Sequence, residues 1–209
     1  MNLLNEDRLK NLLITIKANL RDTRKLIISY GIARSIKYLH SNNIIHQFLY
    51  STNIFLDSEL FPHIRHFEKK IDFEDHDFFS IEEIYSLSPE LYEDFYSFSH
   101  SKSINAYGYA IILYELWTEQ RPFPGTTLRM EIADFVLKGK RPTFQSKSSP
   151  SEKWQKLICD CWSQDPNARP TFEQICQILE SEDFAGSCED KELFDMYKRL
   201  IDEGEKLAR

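Results

Sequence analysis

The chain is short of positive charge. Its 209 residues carry 26 lysines and arginines against 33 aspartates and glutamates, for a net charge of −7. A general nucleic-acid binder presents a basic face, so this balance argues against that class. The one basic cluster, "KGKRP" (Lys138 to Pro142), is small and reads as a solvated loop. Metal-ligand spacing is missing as well. Cys159, Cys161, Cys176 and Cys188 form no CxxC pair, and no histidine follows at zinc-finger distance. Cys159 and Cys161 stand too close to bridge comfortably within a helix. Reduced thiols in a cytoplasmic protein are therefore expected. The start, "MNLLNEDRLKNLL", brings acidic residues early and has no apolar h-region, unlike a signal peptide. The most apolar run, "INAYGYAIILYELW" (Ile104 to Trp117), carries Asn105 and Glu115 and is too short to span a bilayer. Neither a membrane nor a nucleic acid is an expected partner, and no internal repeat stands out.

What is present is mostly helical. The length suits one sizeable core or at most two small ones, and 42% apolar with 28% charged residues is ordinary for a soluble globular protein. Leu9, Leu12, Leu13 and Ile16 recur at helical spacing. A second helix runs through Leu26, Ile27, Tyr30, Ile36 and Leu39, with Asp22 or Thr23 as its cap, until "HSNN" (His40 to Asn43) breaks it. Asn53 to Leu56 and Phe61 to Ile64 are too short for helices and suit brief strands. Residues 68–103 are irregular, apart from a short helix opened by Pro89. Then follow a buried helix over 104–118, a helix from Leu128 to Lys138 closed by Gly139, and a helix from Trp154 to Trp162. A further helix is capped near Thr171. The last is amphipathic, from Glu189 to Ala208, with Leu193, Tyr197, Leu200 and Ile201 on one side.

Several separated stretches, in order and in register, resemble the C-terminal lobe of a protein kinase of the tyrosine-kinase-like group. "GIARSIKYLHSNNIIH" (Gly31 to His46) is similar to the helix leading into the catalytic loop. "HQFLYSTN" (His46 to Asn53) occupies the H-R-D-L-x-x-x-N frame. "HFE" (His66 to Glu68) falls in the D-F-G frame, and "SPE" (Ser88 to Glu90) in the A-P-E frame. "INAYGYAIILYEL" resembles the central buried helix. "CWSQDPNARPTF" (Cys161 to Phe172) is close to the group's ending motif and is the most specific match. The likeness covers about residues 6 to 180 and implies a mainly α fold with a few short β-strands. That fold is a kinase-like large lobe over 1–180, lacking the small N-terminal lobe and followed by a helical extension over 181–209.

The departures fall on the chemistry. In the loop frame His46 and Asn53 match, but the arginine is Gln47, the catalytic aspartate is Phe48 and the lysine is Tyr50. In the D-F-G frame the magnesium-binding aspartate is His66 and the glycine is Glu68. The anchoring aspartate of the central helix is Asn105. No G-x-G-x-x-G loop and no V-A-I-K lysine occur in the chain. Phenylalanine can neither accept a proton nor orient a hydroxyl, and a positioned base contributes about 10²–10⁴-fold. Magnesium prefers hard oxygen ligands, so His66 is a poor substitute. Glu68, Asp57 and Asp72 read as solvated loop carboxylates.

The resemblance therefore implies an inactive kinase-like domain, with no catalytic residue, no metal ligand and no cofactor expected. Phe48 and His66 are its degenerate positions. Asn53 is the one residue left that could touch a cofactor, though a hydrogen bond to the loop backbone is its plainer role. The domain would act as a protein-interaction or regulatory module with another protein as partner. The alternative is part of an atypical ATP- and magnesium-dependent kinase. The likeness also implies a buried ion pair between Glu90 and Arg169, and core positions for Trp117, Trp154 and Trp162. Phe55 matches the strand flooring the adenine site, where its ring could fill the space of a ligand. Leu3, Leu4, Phe48, Phe55 and Phe67 are expected to form an exposed apolar cleft face, which the last helix could cover.

Overall fold

The computed structural model describes residues 7–8, 20–65, 80–94, 101–126, 128–145, 149–186 and 188–207. The proposed helix on Leu9, Leu12, Leu13 and Ile16 lies outside them. Just before it, Asp7–Arg8 is a strand, β1. Helix α1 (Asp22–Ser41) is buried on nearly all sides, by Leu26, Ile27, Ile28, Tyr30, Ile32, Ala33, Ile36 and Leu39 among others. Its cap is Arg21, whose side chain makes no capping bond; Asp22 is already helical and places its carboxylate in the first turn, where it favours the helix dipole. The chain leaves α1 through Asn43, whose φ of 58° is a left-handed turn that asparagine tolerates.

Strands β2 (Ile54–Leu56) and β3 (Pro62–Ile64) form an antiparallel hairpin, and β1 adds to the other edge of β2. Phe55 pairs with His63 and with Arg8. Asp57 builds the hairpin turn: its Oδ1 accepts from the backbone N–H groups of Glu59 and Phe61, each at 2.9 Å. Pro62 opens its strand, a position where no ladder N–H is required.

Two short helices follow, α2 (Ile81–Ser86) and α3 (Pro89–Glu93), the second opened by Pro89 as expected. Helix α4 (Ser103–Thr118) is the hub. Tyr107, Tyr109, Ala110, Ile112, Leu113 and Leu116 are all fully buried, so the helix has no solvent face along most of its length. Helices α5 (Arg129–Leu137), α6 (Glu152–Cys161) and α7 (Phe172–Glu180) complete the lobe. A one-turn helix, α8 (Glu182–Ala185), leads to the last, α9 (Lys191–Leu207). Helix α7 starts with a capping box in which Thr171 and Gln174 exchange hydrogen bonds, placing the cap where the sequence puts it. Trp154 and Trp162 are core, whereas Trp117 is half-buried and stacks on Trp154 with centroids 3.9 Å apart.

Helix α1 packs against α7, β3, α9 and α4. Helix α9 therefore lies on α1. Its anchors are Phe194 and Tyr197, both buried, while Leu200 on the expected apolar side is 49% exposed. Gly31 of α1 is what lets it approach, because a Cβ there would strike the Tyr197 hydroxyl and the Pro62 ring. All four cysteines are free thiols. No helix among the described residues is long and apolar enough to cross a membrane.

Candidate functional site

The segment between α1 and β2 (residues 44–53) is held against the hub helix by Asn105. Its Oδ1 accepts the His46 backbone N–H at 3.2 Å, and its Nδ2 donates to the His46 carbonyl. The same Oδ1 lies 2.8 Å from His40 Nε2. A carbonyl can only accept, so the carboxamide has one workable orientation, and the Nε2 of His40 must carry a proton. His46 is fully buried. Its Nδ1 accepts from the Phe48 backbone N–H at 3.2 Å, which leaves Nε2 to donate to the Arg65 carbonyl at 3.0 Å. Gly108 on α4 makes room for the loop, since a Cβ there would sit 2.5 Å from the Leu49 carbonyl oxygen.

Phe48 stands in the base position of this frame and is buried, at 4% exposed. Its carbonyl accepts from Asn53 Nδ2 at 3.0 Å, so the one candidate cofactor residue turns its amide nitrogen onto the loop. Beneath the loop, Gln47, Phe48, Leu49, Tyr50, Leu87, Leu91 and Gly108 help enclose a cavity of about 10 Å³, room for at most one water. Tyr50 stands where the frame has its lysine. Its hydroxyl donates to Glu83 Oε1 at 2.6 Å. Burial, and then this hydrogen bond, push the Tyr50 phenol well above its usual pKa. Glu83 also closes a capping box with Ser80 at the start of α2. Tyr50 thereby ties α2 to the loop. The link escapes sequence reading, although the box itself, Ser80 followed three residues later by Glu83, is visible there.

The exposed apolar face expected on Phe48 and Phe55 is not found. Phe55 is 9% exposed, and the Arg65 guanidinium lies over its ring, 4.4 Å from the centroid. The hairpin gives the reason: pairing on both edges of β2 turns Phe55 into a sheet interior. Helix α9 does not cover that face but packs on α1. Leu3, Leu4, His66, Phe67, Glu68 and Asp72 lie outside the described residues. Magnesium needs several hard oxygen ligands. Phe48 offers no side-chain oxygen, Asp57 is engaged in the hairpin turn, and the described residues contain no cluster of three or more histidine, cysteine, aspartate or glutamate side chains able to hold a metal.

The scaffold pair is intact. Arg169 Nη1 and Nη2 donate to Glu90 Oε1 and Oε2 at 2.6 and 2.8 Å, with both side chains almost fully buried. Burial alone would raise the Glu90 carboxyl, but the hydrogen bonds and charge of Arg169 outweigh it and hold the group below the usual carboxylate range.

A helical lobe around a buried hub helix, with this loop frame and this ion pair, is the large lobe of a protein kinase. The family profile described as protein tyrosine and serine/threonine kinase matches residues 1–179, and the chain belongs to that family. Among curated relatives, a probable serine/threonine-protein kinase of Dictyostelium discoideum is 34% identical over 169 residues, covering 77% of this chain and 12% of the relative. A probable LIM domain-containing serine/threonine-protein kinase of the same organism is 30% identical, covering 82% of this chain and 17% of the relative. Serine/threonine-protein kinase STY17 of Arabidopsis thaliana is 30% identical, covering 74% and 26%. The chain thus spans a small part of the length of these relatives.

Proposed function

We propose that this kinase-family lobe does not transfer phosphate and acts as an interaction or regulatory module for another protein in the cytoplasm. The observation that carries this is Phe48: a buried hydrocarbon in the base position, with its backbone N–H and carbonyl both bonded inside the loop. Phosphoryl transfer is mainly positioning and electrostatic stabilisation. A site that has neither a proton acceptor at this point nor an aspartate in the D-F-G frame loses both, and residues acting as a unit do not substitute for one another. Tyr50 adds to the reading, because the position of the phosphate-facing lysine is spent on Glu83.

A second reading is favoured by the names of the relatives, which are serine/threonine kinases. On it, the chain is part of an atypical ATP-dependent kinase acting on serine, threonine or tyrosine. One experiment separates the two. Thermal unfolding of the purified protein is followed with increasing ATP and magnesium, with EDTA as control, alongside transfer of labelled γ-phosphate to a generic protein substrate. A ligand that binds only the folded state raises the midpoint with concentration. The expected result is an unchanged midpoint and no incorporated label. A magnesium-dependent rise, with label incorporation that disappears in Asn53→Ala, would falsify the first reading.

A further inference from the structure

Helix α9 is held to the lobe in two different ways along its length. Its first part is anchored by burial. Phe194 and Tyr197 are both buried; Phe194 meets the Tyr30 ring edge-on, with centroids 5.3 Å apart, and Tyr197 packs on Phe61. Ile201 is the last apolar side chain described against the core. Beyond it the burial ends: Asp202, Glu203, Gly204 and Lys206 are exposed, and Glu205 is half-buried. Among the described residues, the side chain outside α9 that bonds to this end is Arg34 of α1. Its Nη2 lies 2.8 Å from both Asp202 Oδ1 and Glu205 Oε1, and its Nε donates to the same Glu205 oxygen at 3.2 Å.

The last turns are a poor helix by themselves. Gly204 is a weak helix former, and a Cβ built there meets nothing within 4 Å, so no neighbour requires a glycine. Asp202, Glu203 and Glu205 set three carboxylates near the negative pole of the helix dipole, with Lys206 as the basic residue of the last turn. Arg34, in contrast, is firmly set. Its side chain is only 10% exposed, its Nη1 donates to the Tyr30 hydroxyl at 2.7 Å, and that hydroxyl donates to Glu180 of α7 at 2.6 Å. The cation is thus placed by α1 and α7, independently of α9. The carboxylates that reach it come from the side of solvent, and the Asp202 side chain remains 53% exposed.

We propose that the end of α9, residues 202–207, is a releasable strap, latched onto α1 by Arg34 through Asp202 and Glu205 and free to unwind while residues 191–201 stay docked. Its release opens one wall of a groove of about 560 Å³, which Gly204 and Glu205 line together with Tyr38 and Leu39 of α1 and Pro62 of β3. The strap switches this side of α1 between a covered and an uncovered state. None of residues 44–53 lines the groove, so the inference stands or falls separately from the nucleotide experiment.

Hydrogen–deuterium exchange of the intact chain, read segment by segment, tests it. Asp202→Asn with Glu205→Gln removes both carboxylates. It leaves Arg34 bonded to Tyr30, with Glu180 3.9 Å away, so the lobe keeps its fold. Two effects oppose each other in this variant: neutral side chains suit the helix dipole better, but the charge-assisted bonds to Arg34 are lost. The expected result is exchange over 202–207 that is faster by about tenfold or more, with 191–198 unchanged. Asp195→Asn is the control, because it removes a comparably exposed carboxylate of α9 that pairs with Lys198 and not with Arg34. It is expected to leave 202–207 as in the wild type. Exchange over 202–207 that stays the same or slows in the double variant overturns the proposal, since Arg34 then holds nothing there. A rise spread evenly over 191–207 overturns it too, because the pairs would then anchor the whole helix. So does an equal rise in Asp195→Asn, which would make the effect one of helix charge in general.

Discussion

Asn105 grips His46 by both its backbone N–H and its carbonyl, and takes a third hydrogen bond from His40. The frame of this family has an aspartate here, which accepts but cannot donate. Asparagine satisfies the His46 carbonyl as well and brings no charge into a site that is 1% exposed. Asn105→Ala strands two backbone groups of His46, each at a cost of about 1–3 kcal/mol. Equilibrium unfolding in urea is expected to show a loss of at least about 2 kcal/mol. An unchanged denaturation midpoint would mean that the loop is not held from α4.

The same triad sets a pH dependence. Burial lowers the His40 pKa, against the Asn105 hydrogen bond and with help from Lys102. Between that lowered value and the unfolded value of about 6.5, the unfolded chain binds more protons, so stability rises with pH across this window. His40→Gln is expected to flatten that slope. In Asn105→Asp the new carboxylate raises the His40 pKa, and the sign reverses. Stability is then full below about 6.5 and is lost as pH rises through the folded pKa. Unfolding free energies measured from pH 5 to pH 8 distinguish the three proteins; parallel profiles would remove His40 from the account.

Much of this architecture is legible in the residue order. Pro89 marks α3, Thr171 with Gln174 marks the start of α7, and the apolar run from Ile104 marks the hub helix. The Glu90–Arg169 pair was readable because both residues sit in motifs with fixed neighbours. Burial of Phe48 and Phe55 was not readable. For Phe55, β1, only Asp7–Arg8, completes the sheet beside β2, and two residues carry no periodicity. The Tyr50–Glu83 link was hidden for a similar reason, since the partners are 33 positions apart and neither belongs to a pattern that names the other. The apolar side of α9 was legible from helical spacing: Leu193, Tyr197 and Ile201 pack on the core, and only Leu200 of that set stays exposed.

Tyr50 offers a direct check on how firmly α2 is fixed. Its hydroxyl spends 2.6 Å on a carboxylate that also caps the helix. A hydrogen bond to a charged group contributes about 1.5–3 kcal/mol. Tyr50→Phe removes it while keeping the ring. A loss of about 1.5 kcal/mol is expected, with faster amide exchange confined mainly to residues 81–86, because a local tether protects its own segment first. Exchange that rises evenly through the lobe would assign Tyr50 to the global core instead.

The buried ion pair between Glu90 and Arg169 is costly to break. Arg169→Ala leaves a carboxylate with 6% side-chain exposure without its paired cation, at about 3–5 kcal/mol. Glu90→Leu with Arg169→Met leaves no buried charge and is expected to recover much of that loss, since a packed apolar pair often replaces a buried ion pair at little cost. The pH profile carries the sign. Glu90 is held below its unfolded pKa of about 4.3, so its contribution is complete above that value and drains away as pH falls through the folded pKa. Acid titration of the wild type should therefore show a stability loss beginning below about pH 4.3 that the double variant lacks. If both proteins lose stability in parallel over that range, the acid sensitivity belongs to other carboxylates, and the pair is a device of geometry alone, aligning the start of α4 through the Arg169 hydrogen bond to the Ser103 carbonyl.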